Sequence, residues 1–202
     1  VLFRSSGGRG QFAEIQVEFE PLPGHTGFEF IDGIKGGNIP REFIPSVEKG
    51  IKSSMEMGPL AGYAIEGVRA RLYDGKTHAV ASDPLSFAIA GRMAFREAAR
   101  KAKPVLMEPI MAVEVTTPEE YMGDVIGDLN GRRGRIDGMT QRGDAQVIKA
   151  FVPLAQMFGY TTDLRSITQG RAISSMQFEK YEAAPKSVAE EVVSSLKVAV
   201  EV

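Results

Sequence analysis

The sequence predicts an α+β fold in two parts, and three patterns carry that prediction. Residues 11–20 alternate apolar and polar side chains, as a half-buried strand requires. Between Pro109 and Tyr181, strand and helix patterns follow one another as β-α-β-β-α-β, the order of a ferredoxin-like split β-α-β sandwich. Between these regions, "AKPVLMEPIMAVEV" places two prolines ahead of an alternating run and marks a domain boundary near Lys103.

In the first strand Phe12, Ile15, Val17 and Phe19 stand against polar neighbours, with one slip near Ala13. "PLPGHTG" (21–27) is a loop by its proline and glycine content, "FEFIDGI" a second short strand, and "KGGNIP" a Gly-rich turn. From Pro40 onward, Phe43, Ile44, Val47, Ile51 and Met55 recur on one face of a helix that ends at Gly58. "YAIEGVRARLYDGKTHAVAS" is expected to form two strands around an Asp-Gly turn. A second helix is expected over Asp83–Lys101, with Asp83 as N-cap, Pro84 at the first helical position and Arg100 and Lys101 at its end.

Beyond the boundary, the pattern gives a strand over Pro109–Val115 and a helix over Pro118–Asn130. Strands Gly134–Gln141 and Gln146–Val152 pair across "RGDA", followed by a helix over Leu154–Ile167 and a strand over Arg171–Tyr181. Leu154, Met157, Phe158, Leu164 and Ile167 are assigned to the core. In the last stretch Val188, Val192 and Leu196 fall at helical spacing and predict a packing tail helix.

Composition removes several function classes. The chain has no cysteine, which excludes disulfides, thiolate metal sites and cysteine nucleophiles; its only histidines are His25 and His78. A net charge of −2 argues against coating nucleic acid by bulk electrostatics. Residues 1–103 carry 14 Lys/Arg against 12 Asp/Glu, and residues 104–202 carry 10 against 14, so any nucleic-acid contact is local. No apolar run is long enough to span a membrane, and the composition fits a cytoplasmic setting.

Several segments invite a chemical reading. "SSGGRGQ" (5–11) meets a strand and can be a phosphate cradle, a flexible linker or a fingertip pressed on another molecule. Gly75-Lys76-Thr77 supplies the second half of a P-loop, but Ala70 stands where the leading glycine belongs and the expected setting is a hairpin turn. His78 is either a solvated loop histidine or a tip residue able to stack on a base or bond to a ribose or phosphate, beside Lys76 and Thr77. Arg132, Arg133 and Arg135 surround a helix end: dipole compensation with a Gly134 C-cap and a phosphate-contacting corner both fit. Arg165, Gln169 and Arg171 enrich a helix-to-strand connection in donors. The carboxylates Glu119-Glu120 and Asp124/Asp128 suit helix N-terminal bias and solvated faces, so the residues describe a binding module with no catalytic group.

The motifs "SGGRGQF", "GFEFIDGIKGGNIPREFIPSVEKGI", "GPLAGYAIEGVRARLYDGKTH", "AKPVLMEPIMAVEV", "GDVIGDLNGRRG" and "PLAQMFGYTTDLRSITQGRA" resemble, in order and spacing, the C-terminal part of bacterial translation elongation factor G. The resemblance covers residues 6–185. It implies a domain IV-like unit over 6–103 with the fold of ribosomal protein S5 domain 2 and a ferredoxin-like domain V over 104–185; the helical spacing described above adds a C-terminal helix over 186–202.

It further implies that domain IV enters the decoding A site of the small ribosomal subunit, in a GTPase that drives translocation of tRNA and mRNA. Two tip loops would touch RNA: Gly7, Gly8, Arg9, Gly10 and Gln11 in one, Lys76, Thr77 and His78 in the other. Arg132, Arg133, Arg135, Arg165, Gln169 and Arg171 become candidates for large-subunit rRNA contact. GTP and Mg²⁺ belong to the whole factor, with no cofactor, metal or catalytic residue in this chain; a monomer that meets no membrane is expected.

After the histidine the family usually continues Asp-Val-Asp-Ser-Ser, whereas "AVASD" (79–83) stands here. That departure leaves room for a paralogous factor acting in ribosome recycling, and a stand-alone ribosome- or RNA-binding module is the other alternative. Val1–Ser5 is expected to be a foreign scar, since "LFRS" is what one frame of a sequencing adapter would encode.

Overall fold

Alternating and helical hydrophobic patterns become two separate units in the computed structural model, which describes residues 1–6, 10–22 and 27–200, with side chains through Leu196. One unit takes in Val1–Pro104 together with the residues from Glu190 on, and the other Val105–Ala189.

The first unit holds strands β1 (Leu2–Ser5), β2 (Gln11–Pro21), β3 (Phe28–Asp32) and β4 (Val68–Lys76), with helices α1 (Ile44–Met55) and α2 (Pro84–Lys101). The sheet order is β1-β2-β4-β3; β3 and β4 run parallel, joined through α1, and the other pairs are antiparallel. Ala13, Ile15, Ala70 and Leu72 are buried against Val47, Ile51, Phe87 and Phe95 of the helices. Removing this much apolar side chain from water, at about 1.5–3 kcal/mol per large residue, is the main force holding sheet to helices.

The opposite sheet face is polar. Its cross-strand neighbours pair by charge: Glu14 with Lys76, Glu18 with Arg71, and both Glu20 and Glu29 with Arg69. Exposed pairs of this kind contribute about 0–1 kcal/mol each, so their main consequence is to neutralise the cations of this face.

Asp83 caps α2 as expected: its Oδ1 accepts from Ser86 N–H and Ser86 Oγ, each at 2.6 Å. Helices α1 and α2 approach closely through two glycines. A Cβ on Gly50 would lie 2.0 Å from the Ala88 carbonyl oxygen, and one on Gly91 would lie 2.6 Å from that of Val47.

The Asp-Gly hairpin expected at residues 74–75 does not form. β4 runs unbroken through both residues to Lys76, and a loop leads straight to α2. Gly75 serves close packing instead of a turn, since a Cβ there would meet Glu14 O at 2.4 Å and Ile39 Cδ1 at 2.6 Å. Residues 2–5, set apart above as foreign, pair with β2, and the Val1 nitrogen donates to Ile15 O.

The second unit runs β5 (Met107–Pro118), α3 (Met122–Gly131), β6 (Arg135–Arg142), β7 (Ala145–Pro153), α4 (Tyr160–Ile167) and β8 (Ile173–Ala183), in the sheet order β6-β7-β5-β8, all antiparallel. This is the ferredoxin-like order the sequence predicts. Val113, Val115, Ile148 and Val152 of the sheet pack on Val125, Leu129 and Leu164 of the helices.

Both helices are shorter than expected. Glu119–Tyr121 and Leu154–Gln156 form 3-10 turns, and Gly159, at φ 77, breaks the chain ahead of α4. Phe158, assigned above to the core, lies in that break and is 77% exposed. The last helix, α5 (Lys186–Val200), places Val188, Val192 and Leu196 at half-buried positions.

Candidate nucleic-acid interface

The strand register brings two of the expected loops to one end of the first sheet. Ser5 pairs with Gln11 and Glu14 with Lys76, so the β1–β2 connection and the loop leaving β4 emerge side by side. Gly7, Gly8 and Arg9 lie outside the described residues. Gly10 turns the chain into β2 at φ 72, a left-handed conformation that favours glycine. Gln11 opens β2 half-buried, and Thr77 and His78 are exposed.

A hydroxyl bridge ties the loop after β4 to the start of β2. Ser82 Oγ accepts from His78 N–H at 2.8 Å and donates to the Phe12 carbonyl at 2.7 Å, while Phe12 N–H donates to Ala81 O at 2.8 Å. The Phe12 and His78 rings stand 6.2 Å apart, tilted. His78 Nδ1 accepts from the Val80 and Ala81 amides at 3.3 and 3.2 Å. In the neutral ring this places the proton on Nε2, which has no hydrogen-bond partner among the described residues. Lys76 is engaged by Glu14 at 3.3 Å, although its side chain remains 70% exposed.

A third loop, not assigned a role by the sequence, reaches the same end because β3 runs parallel to β4. Ile39 is buried beside Gly75, and Asn38 Nδ2 donates to Asp74 Oδ1 at 2.9 Å. That bond, the Gly75 amide and the Lys76 charge hold the Asp74 carboxyl below its ordinary pKa. Gly36 and Gly37, at φ 80 and 74, sit in open space. "KGGN" carries the signal for a turn but none for its position at the tip.

In the second unit the six expected contact residues divide. Arg132 is a strut inside the fold: it donates to Asp128, the Gln156 carbonyl and Asp163, with its guanidinium 5.0 Å over the Tyr160 ring. Burial opposes its charge, but the bonds to both carboxylates outweigh burial and raise its pKa. Burial also pushes Tyr160 up to about 12, helped by the Asp128 charge and opposed by that of Arg132.

Arg133, at φ 61, takes the left-handed position after α3 and clamps Glu108 with both Nη atoms. The left-handed cap is thus Arg133, with Gly134 needed for close approach: its Cβ would meet Leu129 O at 2.4 Å. Arg135 lies 5.4 Å from the Phe151 ring and 4.0 Å from Glu182. Arg171 is paired with Glu120 and lies 5.6 Å from the Tyr121 ring. Arg165 and Gln169 are exposed at the end of α4, and Arg165 has no ion-pair partner among the described residues.

Glu108 stands near the start of β5 and Glu120 just past its end. The pairs Arg133–Glu108 and Arg171–Glu120 therefore put the two arginine clusters at opposite ends of this sheet, and these six residues do not form a single basic patch.

The fold and these tips define a two-unit α+β chain that offers polar loops at one end of its first unit. Residues 1–103 match the family described as elongation factor G, domain IV, and residues 105–192 match the elongation factor G C-terminus. The chain belongs to the elongation factor G family.

It is 64% identical over 196 residues to elongation factor G of Salinibacter ruber, covering 95% of this chain and 28% of that protein. Against elongation factor G of Aquifex pyrophilus it is 57% identical over 190 residues, covering 94% and 27%. A solved structure from Thermus thermophilus superposes with a TM-score of 0.87 at 36% identity, covering 97% of this chain and 29% of that one. The chain thus spans little more than a quarter of the length of these relatives, and its α+β fold is shared along almost its whole length.

Proposed function

We propose that this chain is the part of a ribosomal translocation factor that enters the decoding A site. The convergence of the Gly10 turn and the His78 loop at one end of the sheet, with Ser82 fastening the His78 loop to Phe12 of β2, carries the reading. The first unit supplies the finger: its polar sheet face carries paired charges, and its tip offers backbone amides, the Nε2 proton of His78 and the turn at Gly10 and Gln11. These groups bond to riboses, phosphates and base edges of the codon–anticodon region. Once in place the finger is a steric wedge that prevents tRNA from returning.

GTP and Mg²⁺ are held by the rest of the parent factor, which couples hydrolysis to the motion. The second unit meets large-subunit RNA with Arg165 and Gln169 foremost, since Arg132, Arg133 and Arg171 are engaged internally. The partners in this reading are the ribosome, tRNA and mRNA, the protein acting as a cytoplasmic monomer.

The absence of cysteine from the chain offers a direct test. A single Thr77→Cys, placed in a parent factor otherwise free of cysteine and carrying a tethered hydroxyl-radical source, is expected to cut small-subunit rRNA at the decoding region and the tRNA anticodon arm. Cleavage confined to the large subunit overturns the assignment.

A further inference from the structure

We propose that the outward face of α2 binds the phosphodiester backbone of an RNA helix through Arg92, Arg96 and Arg100. The three arginines stand at i, i+4 and i+8 and are all exposed, opposite the buried stripe of Phe87, Ala90, Gly91, Ala94 and Phe95. Four residues advance a helix by about 6 Å, so the row spans about 12 Å on one side. That step is comparable with the spacing of successive phosphates along a strand, and each guanidinium fork suits two phosphate oxygens.

None of the three has an ion-pair or hydrogen-bond partner among the described residues. Glu97, the acid nearest them along the helix, is committed to Lys101 at 2.6 Å. The contrast with the sheet face of the same unit is sharp, because Arg69, Arg71 and Lys76 each meet a carboxylate there. The helix dipole accounts for Arg100, in the last turn; Arg92 and Arg96 lie farther inside, where it has little effect. Like charges four residues apart weaken a helix. The row is therefore a local cost to folding that a bound polyanion offsets.

The test uses the 202-residue chain and a fluorescently labelled RNA duplex of about 20 base pairs, titrated across a KCl series from about 50 to 200 mM. Replacing all three residues (Arg92→Gln, Arg96→Gln, Arg100→Gln) is expected to weaken binding on the order of tenfold or more at the low-salt end. The slope of log affinity against log salt should flatten by about 2–3, from 0.7–0.9 per phosphate contact. The corresponding triple Arg→Lys variant should keep most of the slope, and unchanged circular dichroism should show that the Gln variant is folded.

An unaltered slope in the Gln variant overturns the proposal, as does failure of the wild-type chain to bind the duplex. Tighter binding to poly-glutamate than to the duplex would assign the face to an acidic protein and likewise overturn it. The duplex contains no decoding site, so failure here leaves the translocation reading standing, and failure of that reading leaves this one.

Discussion

Replacing Ser82 with alanine should loosen the tip without unfolding the unit behind it. The hydroxyl makes two bonds, accepting from His78 N–H at 2.8 Å and donating to the Phe12 carbonyl at 2.7 Å. The His78 amide is at the surface, where water replaces the lost acceptor, so that bond is worth about 0.5 kcal/mol net. The Phe12 carbonyl is partly buried, and stranding it costs about 1 kcal/mol more. The bond from Phe12 N–H to Ala81 O survives, which caps the total at about 1–2 kcal/mol.

Urea unfolding of the chain measures the total, and amide exchange followed residue by residue locates it. The His78 amide should exchange on the order of ten times faster in Ser82→Ala, with Val47 and Ile51 in the core unaffected. A stability change below about 0.3 kcal/mol together with unchanged exchange at His78 would refute the bridge.

Other substitutions test the packing and the electrostatics. Gly50→Ala would add about 1 kcal/mol of helix propensity, but its Cβ would sit 2.0 Å from Ala88 O. Overlap with backbone wins, and a net loss of about 1–3 kcal/mol in urea unfolding is expected. Arg132→Ala strands Asp128 and Asp163 and should cost about 2–3 kcal/mol, whereas Arg165→Ala should stay within about 0.5 kcal/mol. Equal, small effects at both would return Arg132 to the surface-contact role.

Tyr160 is 3% exposed, and its hydroxyl has no hydrogen-bond partner among the described residues, so Tyr160→Phe should be neutral or stabilising by about 1 kcal/mol. Because its folded pKa is pushed up to about 12, the unfolded chain loses this proton first. Stability is full below about pH 10 and should fall by about 2–3 kcal/mol between pH 10 and 12, a slope that Tyr160→Phe should reduce.

The order of elements was legible because local patterns determine it: strand alternation near residues 11–20 and 109–115, and the Asp83–Pro84 start of α2. What the sequence concealed depends on distant neighbours. Gly75 has the local appearance of a turn, yet its absent side chain makes room for Glu14 and Ile39. Ser82 and Phe12 are 70 residues apart, so no local motif announces their bond. Arg132 looks like one of three surface cations until Asp163, 31 residues away, comes within reach. Phe158 has core chemistry but sits in the break before α4, where packing leaves it outside. The expected tip residues Gly10, Gln11, Lys76, Thr77 and His78 do gather at one end, while Gly7, Gly8 and Arg9 fall outside the described residues.

The measurement closest to the central claim is translocation by a whole factor carrying His78→Ala, timed beside ribosome-dependent GTP hydrolysis. Losing one or two hydrogen bonds at the tip, about 1–3 kcal/mol, predicts translocation slowed on the order of 10- to 100-fold with hydrolysis near normal. Translocation at the normal rate, or equal loss of both activities, would contradict the account.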